Sequence, residues 1–383
     1  MAENGSRKIR LGMVGGGTGA FIGYVHRIAS RLDGDYELVA GALSSQPAVA
    51  KESGRNLGLA PDRVYTSYEE MAKKESQRSD GIEAVSIVTP NHVHMGPAKA
   101  FLEAGIHVIC DKPLTHTLDA ARALAAVKPA KGARFLLTHN YTGYPLVRQA
   151  RELVKSGALG KIRVVQAEYP QDWLTLPADP GNKQAAWRTD PKRSGAGGAI
   201  GDIGTHAYNL LRFVTGLKTS AVSADLQSFV KGRKVDDNVH ILLRFQGGAR
   251  GMLWASQVAP GNENGLQLRV YGDKAGLSWR QDNPNQMWFT ELGKPAVLLT
   301  RGGAISQPPA ASMNVRVPGG HPEGYLEAFA TLYSQFADVI RGKGKDFIPL
   351  LPSLADGVEG VEFITASIKS SKNDGKWTKL SDV

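Results

Sequence analysis

The sequence has little cysteine and no long hydrophobic run. Among its 383 residues, Cys110 is the one cysteine, which excludes an intramolecular disulfide and fits a reducing compartment. The apolar run at residues 106–110 predicts that this thiol is buried and structural. The first ten residues, MAENGSRKIR, lack the apolar stretch of a secretory signal, and no later segment has the roughly 18 uninterrupted apolar residues of a membrane helix. We therefore expect a cytoplasmic protein with no membrane partner.

Acidic residues are fewer than basic ones, 36 against 46, which gives a formal net charge of +10 at pH 7. The lysines and arginines are scattered, and their densest run, at residues 231–234, is short. A nucleic-acid binder needs a contiguous basic face or a recognised motif, and neither is visible. The charge balance instead suits an anionic cofactor.

The length and composition predict two folded domains. Hydrophobic residues make up 42% of the chain and charged residues 21%, which excludes a largely disordered protein. A single domain usually has about 100 to 200 residues, so 383 residues favour two. We predict a dinucleotide-binding domain over residues 1–140 and a substrate-binding and oligomerisation domain over residues 141–383.

The amino-terminal part alternates apolar segments with helix-like segments. Near-continuous apolar strands between helices are typical of a parallel sheet covered on both faces, so we predict an α/β domain with a doubly wound Rossmann sheet. The predicted strands span residues 8–14, 36–43, 82–90, 105–113 and 133–139.

After about residue 140 strand signals follow one another with short turns, which indicates a largely antiparallel open sheet. Amphipathic helices are predicted at 325–340 and 354–369, so this domain is α+β. The Pro- and Gly-rich stretch 282–320 is interpreted as long connections near a site or a subunit contact. The predicted strands span residues 162–169, 240–245, 249–256 and 266–272.

A glycine cluster, GGGTGAFIG, joins the first strand to a helix. A helix N-terminus presents free N–H groups to an anion, and glycine lets backbone approach a pyrophosphate closely. Gly15 and Gly17 fit this pattern, and the third small residue is either Ala20 or Gly23. The position between a strand and a helix favours a dinucleotide site.

The end of the second strand bears on the choice between NAD and NADP. An Asp or Glu there normally binds the ribose 2′-OH of NAD, but this chain has Leu43, Ser44, Ser45 and Gln46. The two serines either donate to a 2′-phosphate, with Lys51 or Arg55 nearby, or only begin the turn. NAD and NADP both remain candidate cofactors.

Three later segments, taken together and in order, resemble the glucose-fructose oxidoreductase/inositol dehydrogenase/MocA family. They are TPNHVH at residues 89–94, DKP at 111–113 and GDIGTHAYN at 201–209. The resemblance covers nearly the whole chain. It implies a Rossmann domain followed by an α/β domain with an open antiparallel sheet, oxidation of sugars or cyclitols, and dimers or tetramers that associate through that sheet.

The resemblance also assigns roles. It implies that Lys112 and His206 carry catalysis and that Asp202 supports them. Asp111 stands where the family usually has Glu, which shortens the side chain and keeps the carboxylate. Asn209 replaces a final acidic residue, which removes a charge from the expected substrate site.

These roles agree with the chemistry of alcohol oxidation. Removing a hydride from a carbinol carbon requires a base for the hydroxyl proton, and an imidazole with an ordinary pKa of about 6.5 can accept it near neutral pH. A lysine beside the same oxygen stabilises developing alkoxide charge. Asp202 and His206 are four residues apart, so on a helix the carboxylate can orient the imidazole.

Two sets of site residues follow. The predicted cofactor contacts are Gly15, Gly17, Thr18, Ala20, Phe21, Ile22, Ser44, Ser45, Thr89, Pro90, Asn91, His94, Asp111 and Lys112. The predicted substrate contacts are Lys112, Trp187, Arg188, Asp202, His206, Asn209 and His321. The competing interpretation of Arg188 is a structural salt bridge. The competing interpretation of the aromatic residues is packing in the core. No metal site is predicted.

The predicted function is an NAD(P)-dependent dehydrogenase acting on a secondary hydroxyl of a sugar, glycoside or cyclitol. One alternative is a glycosidase that uses tightly bound NAD to oxidise, eliminate and re-reduce its sugar. Another is a sensor that binds the dinucleotide without turnover, because a fold alone does not determine function.

Overall fold

A computed structural model describes residues 7–177, 179, 181–302 and 315–383. It divides into two compact units. The first contains the chain through Asn140 together with Tyr325–Val358, and the second contains Tyr141–Gly324 and Glu359–Val383. The segment 325–358, which the sequence pattern placed with the second domain, thus belongs to the first unit.

The first unit is built on a five-stranded sheet in the order β2-β1-β3-β4-β5, with every neighbouring pair parallel. All five residues of β3 are buried, as expected for a parallel sheet covered on both faces. The strands are β1 Ile9–Gly15, β2 Tyr36–Ala42, β3 Ala84–Val88, β4 His107–Cys110 and β5 Phe135–Leu137. The helices are α1 Phe21–Leu32, α2 Pro47–Asn56, α3 Tyr68–Glu75, α4 Met95–Glu103, α5 Leu118–Ala125 and α10 Tyr325–Ile340.

Helix α10 joins the first unit because its side chains are buried on nearly every face. Phe329 and Tyr333 pack in one hydrophobic cluster with Val25 and Ala29 of α1. Tyr36 of β2 donates from its hydroxyl to the Tyr333 carbonyl at 3.0 Å. A helix this apolar requires a core on several sides, and α1 with the parallel sheet supplies it.

The second unit contains a nine-stranded sheet in the order β13-β12-β11-β10-β6-β9-β8-β7-β14. Along β8 buried and exposed residues alternate, so one face of the sheet is covered and the other is open. The strands are β6 Ile162–Pro170, β7 Thr219–Gln227, β8 Asn238–Phe245, β9 Arg250–Ser256, β10 Gln267–Gly272, β11 Ala275–Arg280, β12 Gln286–Glu291, β13 Val297–Thr300 and β14 Thr378–Lys379. The helices are α6 Pro145–Lys155, α7 Lys183–Arg188, α8 Pro191–Ser194, a π-helix Ile200–Gly204 and α9 Thr205–Thr215. Helix α11, Leu354–Lys372, begins in the first unit and belongs to the second from Glu359 onward.

The predicted fold class is confirmed, with one correction of detail. The second sheet is largely antiparallel, as predicted, and its one parallel pair among the described strands is β6 with β9. The stretch interpreted as long connections contains β12 and β13, whose register pairs Trp288 with Leu298. Cross-strand pairing stabilises strands whose own sequence carries little periodic signal. Residues 303–314 of that stretch lie outside the described residues.

Candidate cofactor site and catalytic residues

The turn after β1 is shaped by glycines. Gly15 has φ 78° and Gly16 has φ 71°, values that L side chains rarely adopt. The Gly17 N–H donates to the Leu43 carbonyl at 3.2 Å, and a Cβ on Gly17 would lie 2.7 Å from that oxygen. The turn is therefore held against the end of β2 with no room for a side chain.

The third close approach of this motif belongs to Gly23. A Cβ on Gly23 would lie 2.4 Å from the Gly16 Cα, so helix and turn touch backbone to backbone. Ala20 instead occupies the N-cap position of α1. Gly23 thus has the helix-packing role that the dinucleotide-binding fingerprint gives to its last small residue.

The N-terminus of α1 can receive an anion. Its cap makes no side-chain hydrogen bond, and its first turn contains no acidic residue. The Thr18 N–H is bonded to the Ser53 hydroxyl at 3.0 Å, which anchors the turn. Phe21, in the first turn, is 61% exposed, and Ile22 packs inward on the core. The glycine turn and the uncapped helix end fit a dinucleotide pyrophosphate.

The end of β2 presents hydroxyls rather than a carboxylate. The Ser44 hydroxyl accepts from the Gln46 N–H at 3.1 Å, so it begins the turn into α2, and Ser45 is exposed. Lys51 and Arg55 are exposed on α2. The Ser44 oxygen accepts the hydrogen bond that begins the turn, and this bond does not use the hydroxyl hydrogen. The geometry is therefore compatible both with a serine that only begins the turn and with one that donates to a 2′-phosphate.

The segment after β3 contains four predicted cofactor contacts. Thr89 and Pro90 are partly buried and Asn91 is buried. His94 is fully buried, with Nδ1 2.8 Å from the Pro113 carbonyl and Nε2 2.8 Å from the Thr89 carbonyl. Burial lowers the pKa of His94. The imidazole therefore lies between the end of β3 and the segment that follows Lys112 and donates to one of the two carbonyl oxygens.

Asp111 and Lys112 follow β4 directly. The Asp111 carboxylate accepts from the Thr138 hydroxyl at 2.9 Å, and its N–H donates to the Ile87 carbonyl at 2.9 Å. Burial alone would raise the pKa of Asp111, but His26 and Lys112 favour the carboxylate and hold the pKa at about 2. Asp111 is thus an anion beside Lys112 at neutral pH. The neighbouring Cys110 thiol is buried, as predicted.

In the second unit, a glycine-rich loop leads into the π-helix and α9. The buried Asp236 carboxylate accepts from the Gly198 N–H at 2.6 Å and from the Ile200 N–H at 2.8 Å. A Cβ on Gly198 would lie 2.0 Å from the Asp236 carbonyl oxygen. The loop that carries Asp202 and His206 is therefore clamped at its start by one carboxylate.

Asp202 organises a polar cluster. One of its carboxylate oxygens accepts from Arg188 Nε at 3.1 Å and from Gln257 Nε2 at 2.9 Å. The Arg188 guanidinium also lies 4.3 Å from the centre of the Trp187 ring. The salt bridge considered for Arg188 is present, and it joins two predicted substrate residues.

His206, at the start of α9, lies among aromatic rings. Its ring centre is 4.8 Å from that of Tyr141, at 76°, and 6.2 Å from that of Tyr169. The two tyrosine hydroxyls are hydrogen-bonded to each other. Asn209, one turn further along α9, is partly buried, whereas His321 is exposed with Nδ1 3.3 Å from the Pro318 carbonyl. The arrangement restricts how the imidazole can turn.

Several residues of these sites escaped the sequence interpretation. No local sequence pattern marks Tyr141, Gln257 or His26, because each acts through contacts with segments that are distant in the sequence. Asp236 could have been found, since two consecutive acids, Asp236 and Asp237, directly precede an apolar strand. Within the described part of the chain, no group of three His, Cys, Asp or Glu residues is arranged to hold a metal ion.

Comparison with known proteins identifies the family. Residues 9–141 match the oxidoreductase family's NAD-binding Rossmann fold, and residues 147–278 match the GFO/IDH/MocA C-terminal domain. An oxidoreductase of Bacillus subtilis, YfiI, is 34% identical, with 98% of each chain covered. The chain belongs to the GFO/IDH/MocA oxidoreductase family. The resemblance predicted from the three sequence segments is thereby confirmed.

Solved structures of oxidoreductases share the fold over 98% of the chain. An oxidoreductase from Sinorhizobium meliloti is 54% identical with a TM-score of 0.88, covering 98% of this chain and 100% of its own. An inositol dehydrogenase homologue from Azotobacter vinelandii, complexed with NADH and myo-inositol, is 36% identical with a TM-score of 0.90, covering 98% of both chains. In the described ranges, no helix is both long and apolar enough to cross a membrane.

Proposed function

We propose that this oxidoreductase uses NAD or NADP to oxidise a secondary hydroxyl of a cyclitol or sugar. The observation that carries the proposal is a lysine directly after β4 of the Rossmann sheet, combined with a histidine that aromatic rings hold at the start of α9. The family relationship to an inositol dehydrogenase homologue with bound myo-inositol supports a polyol substrate.

The cofactor would be held by the glycine turn and the N-terminus of α1. Gly15, Gly17 and Thr18 present backbone to the pyrophosphate, and Ser44 and Ser45 lie where the adenosine ribose would be recognised. When bound, the nicotinamide ring supplies the hydride acceptor. The remaining predicted cofactor contacts, in chain order, are Ala20, Phe21, Ile22, Thr89, Pro90, Asn91, His94, Asp111 and Lys112.

His206 acts as the general base in this proposal. Its imidazole accepts the hydroxyl proton while Lys112 stabilises the negative charge that develops on the same oxygen. Asp202 holds Arg188 and Gln257 at fixed positions for hydroxyl recognition. Trp187, Asn209 and His321 complete the proposed substrate contacts.

We further propose that the protein is a homo-oligomer that associates through the open face of the nine-stranded sheet. Exposed apolar side chains on this face are cross-strand neighbours, which point to the same side of a sheet. Leu242 faces Met252, and Val164 faces Tyr271. Each of the four is 39% to 54% exposed. A second copy of the chain would cover this surface.

The first test is a spectrophotometric screen for reduced nicotinamide, with NAD and NADP separately, against inositols, aldoses and methyl glycosides. Turnover with a few polyols is expected. Lys112→Ala and His206→Ala are each expected to lower kcat/KM about 10²- to 10⁴-fold while the dinucleotide Kd changes less than threefold. Lys128→Ala, at an exposed lysine of the first unit, is the control for Lys112→Ala.

Three outcomes would contradict this assignment. Near-native rates in either variant would exclude the proposed mechanism. Product formation from glycosides with no net NAD(P)H would favour a glycosidase with a recycled cofactor. Dinucleotide binding without turnover on any substrate would favour a sensor.

A further inference from the structure

A chain of buried polar side chains runs through the core of the first unit. His26 of α1 is fully buried, and its Nδ1 lies 2.8 Å from the Tyr333 hydroxyl of α10. The same hydroxyl lies 2.5 Å from the Ser86 hydroxyl of β3. Buried polar groups require partners, so these three side chains hold one another in place.

This series of polar side chains ends at Asp111, the residue that precedes Lys112. His26 Nε2 is buried and makes no hydrogen bond among the described residues, yet it lies 3.8 Å from Asp111 Oδ1. That carboxylate is also anchored by the Thr138 hydroxyl at 2.9 Å. The imidazole thus presents its second nitrogen to a partly buried anion.

The donors and acceptors assign the tautomer of His26. A carboxylate only accepts, so we assign a hydrogen to the nitrogen that faces it, Nε2. Nδ1 then accepts from the Tyr333 hydroxyl, which in turn accepts from Ser86. With this assignment, each polar side chain of the series donates to or accepts from its neighbour. The low pKa of Asp111, to which His26 contributes together with Lys112, agrees with a donor that faces the carboxylate.

We propose that His26 is a positioning residue that acts on Lys112 through the Asp111 carboxylate. The inference rests on the proposed function, in which Lys112 contacts the reacting oxygen. His26 draws the Asp111 carboxylate toward α1, and Asp111 sets the backbone and the charge next to Lys112. Helix α1 thereby holds both the glycine turn at its N-terminus and the residue beside the lysine.

Substitutions at His26 test this role. His26→Gln keeps an N–H donor near the Nε2 position, whereas His26→Leu removes it. We expect His26→Leu to lower kcat at least tenfold with KM for the dinucleotide changed less than threefold, and His26→Gln to restore kcat to within threefold of wild type. His107→Leu is the matched control: it removes another histidine of the unit, one that bonds the Arg134 N–H and packs on Phe336.

A readout independent of turnover is the ¹⁵N spectrum of protein labelled at its nine histidines. The His26 signals are those absent from His26→Gln. We expect the hydrogen on Nε2 rather than on Nδ1, with signals that shift in Asp111→Asn and in Tyr333→Phe. This measurement decides the case even if His26→Leu does not fold.

The outcomes separate this inference from the proposed function. An Nδ1–H tautomer, or His26 signals unchanged in Asp111→Asn, would overturn the inference. Full kcat in His26→Leu would also overturn it and leave the dehydrogenase assignment intact. Absence of turnover in the wild type would contradict the assignment, and the spectrum would still show whether His26 faces Asp111 as a donor.

Discussion

The glycines of the β1–α1 region are required for different reasons. Gly15 and Gly16 need positive φ, whereas Gly23 needs the absence of a Cβ. A side chain at Gly23 would meet backbone atoms of Gly16, and backbone cannot move aside as a flexible side chain can. The geometry of the predicted pyrophosphate site therefore depends on a residue that need not touch the cofactor.

Gly23→Ala tests this dependence. The added Cβ should push α1 from the turn, raise the Kd for NAD(H) at least tenfold and lower the free energy of unfolding by about 1–3 kcal/mol. Nucleotide fluorescence titration and chemical denaturation measure the two effects. The control is Gly34→Ala, which has φ 77° and open space around it, and should reduce stability by about 1 kcal/mol without weakening binding. Unchanged affinity in Gly23→Ala would refute the close-packing role.

Among the elements, the glycine-rich loop and the π-helix before α9 depend on Asp236. Two backbone N–H groups at the start of the loop donate to this one buried carboxylate. Burial raises the pKa of Asp236 to about 6, although those N–H groups favour the charged form. Asp202 and His206 follow within the next turns, so the clamp determines where both side chains start.

Asp236→Asn should loosen this clamp. An amide has one acceptor oxygen, so one of the two N–H groups loses its partner, and kcat should fall more than the dinucleotide Kd rises. Because the folded pKa lies above the ordinary value of about 3.9, the stability that Asp236 contributes is full below about pH 4 and is lost as the pH rises through about 6.

The wild type should therefore exceed Asp236→Asn in free energy of unfolding by more at pH 5 than at pH 7.5, with a difference of about 1.4 kcal/mol between the two pH values. Urea denaturation at both values measures it. Asp225→Asn, at an exposed position of β7, is the control. An equal gap at both pH values would rule out the titration of Asp236.

At the scale of the whole molecule, the open sheet face bears on the oligomeric state. A surface that exposes Leu242, Met252, Val164 and Tyr271 on adjoining strands is unfavourable in water unless it is covered. Light scattering after size exclusion should give two or four times the 41.0 kDa chain mass. The double change Leu242→Glu and Met252→Glu should give monomers, because it places charges where the two copies meet.

Ile348→Glu is the control for this experiment, since Ile348 is 45% exposed and belongs to the first unit rather than to the nine-stranded sheet. A wild-type mass of one chain at all concentrations would refute association through this face. An oligomer that survives the double change would place the contact elsewhere.

The sequence by itself determined the family, the Rossmann order of strands and helices, and the candidates Lys112 and His206. These depend on local patterns, namely apolar periodicity, a glycine turn between strand and helix, and short segments in a fixed order. Strand positions such as Ile9–Gly15 and helix positions such as Tyr325–Ile340 followed from the same periodicity. The positions of β12 and β13 did not follow from periodicity, because these strands are stabilised by their pairing partners rather than by their own composition.

Only the tertiary structure decided which distant residues meet. It gave Gly23 rather than Ala20 the close approach to Gly16, and it joined the segment 325–358 to the first unit. It also brought His26 to Asp111 and Asp236 to Gly198, pairs that lie 85 and 38 residues apart along the chain. Local propensity does not encode such contacts, because burial, close packing and the pairing of polar groups arise only once the whole core has formed.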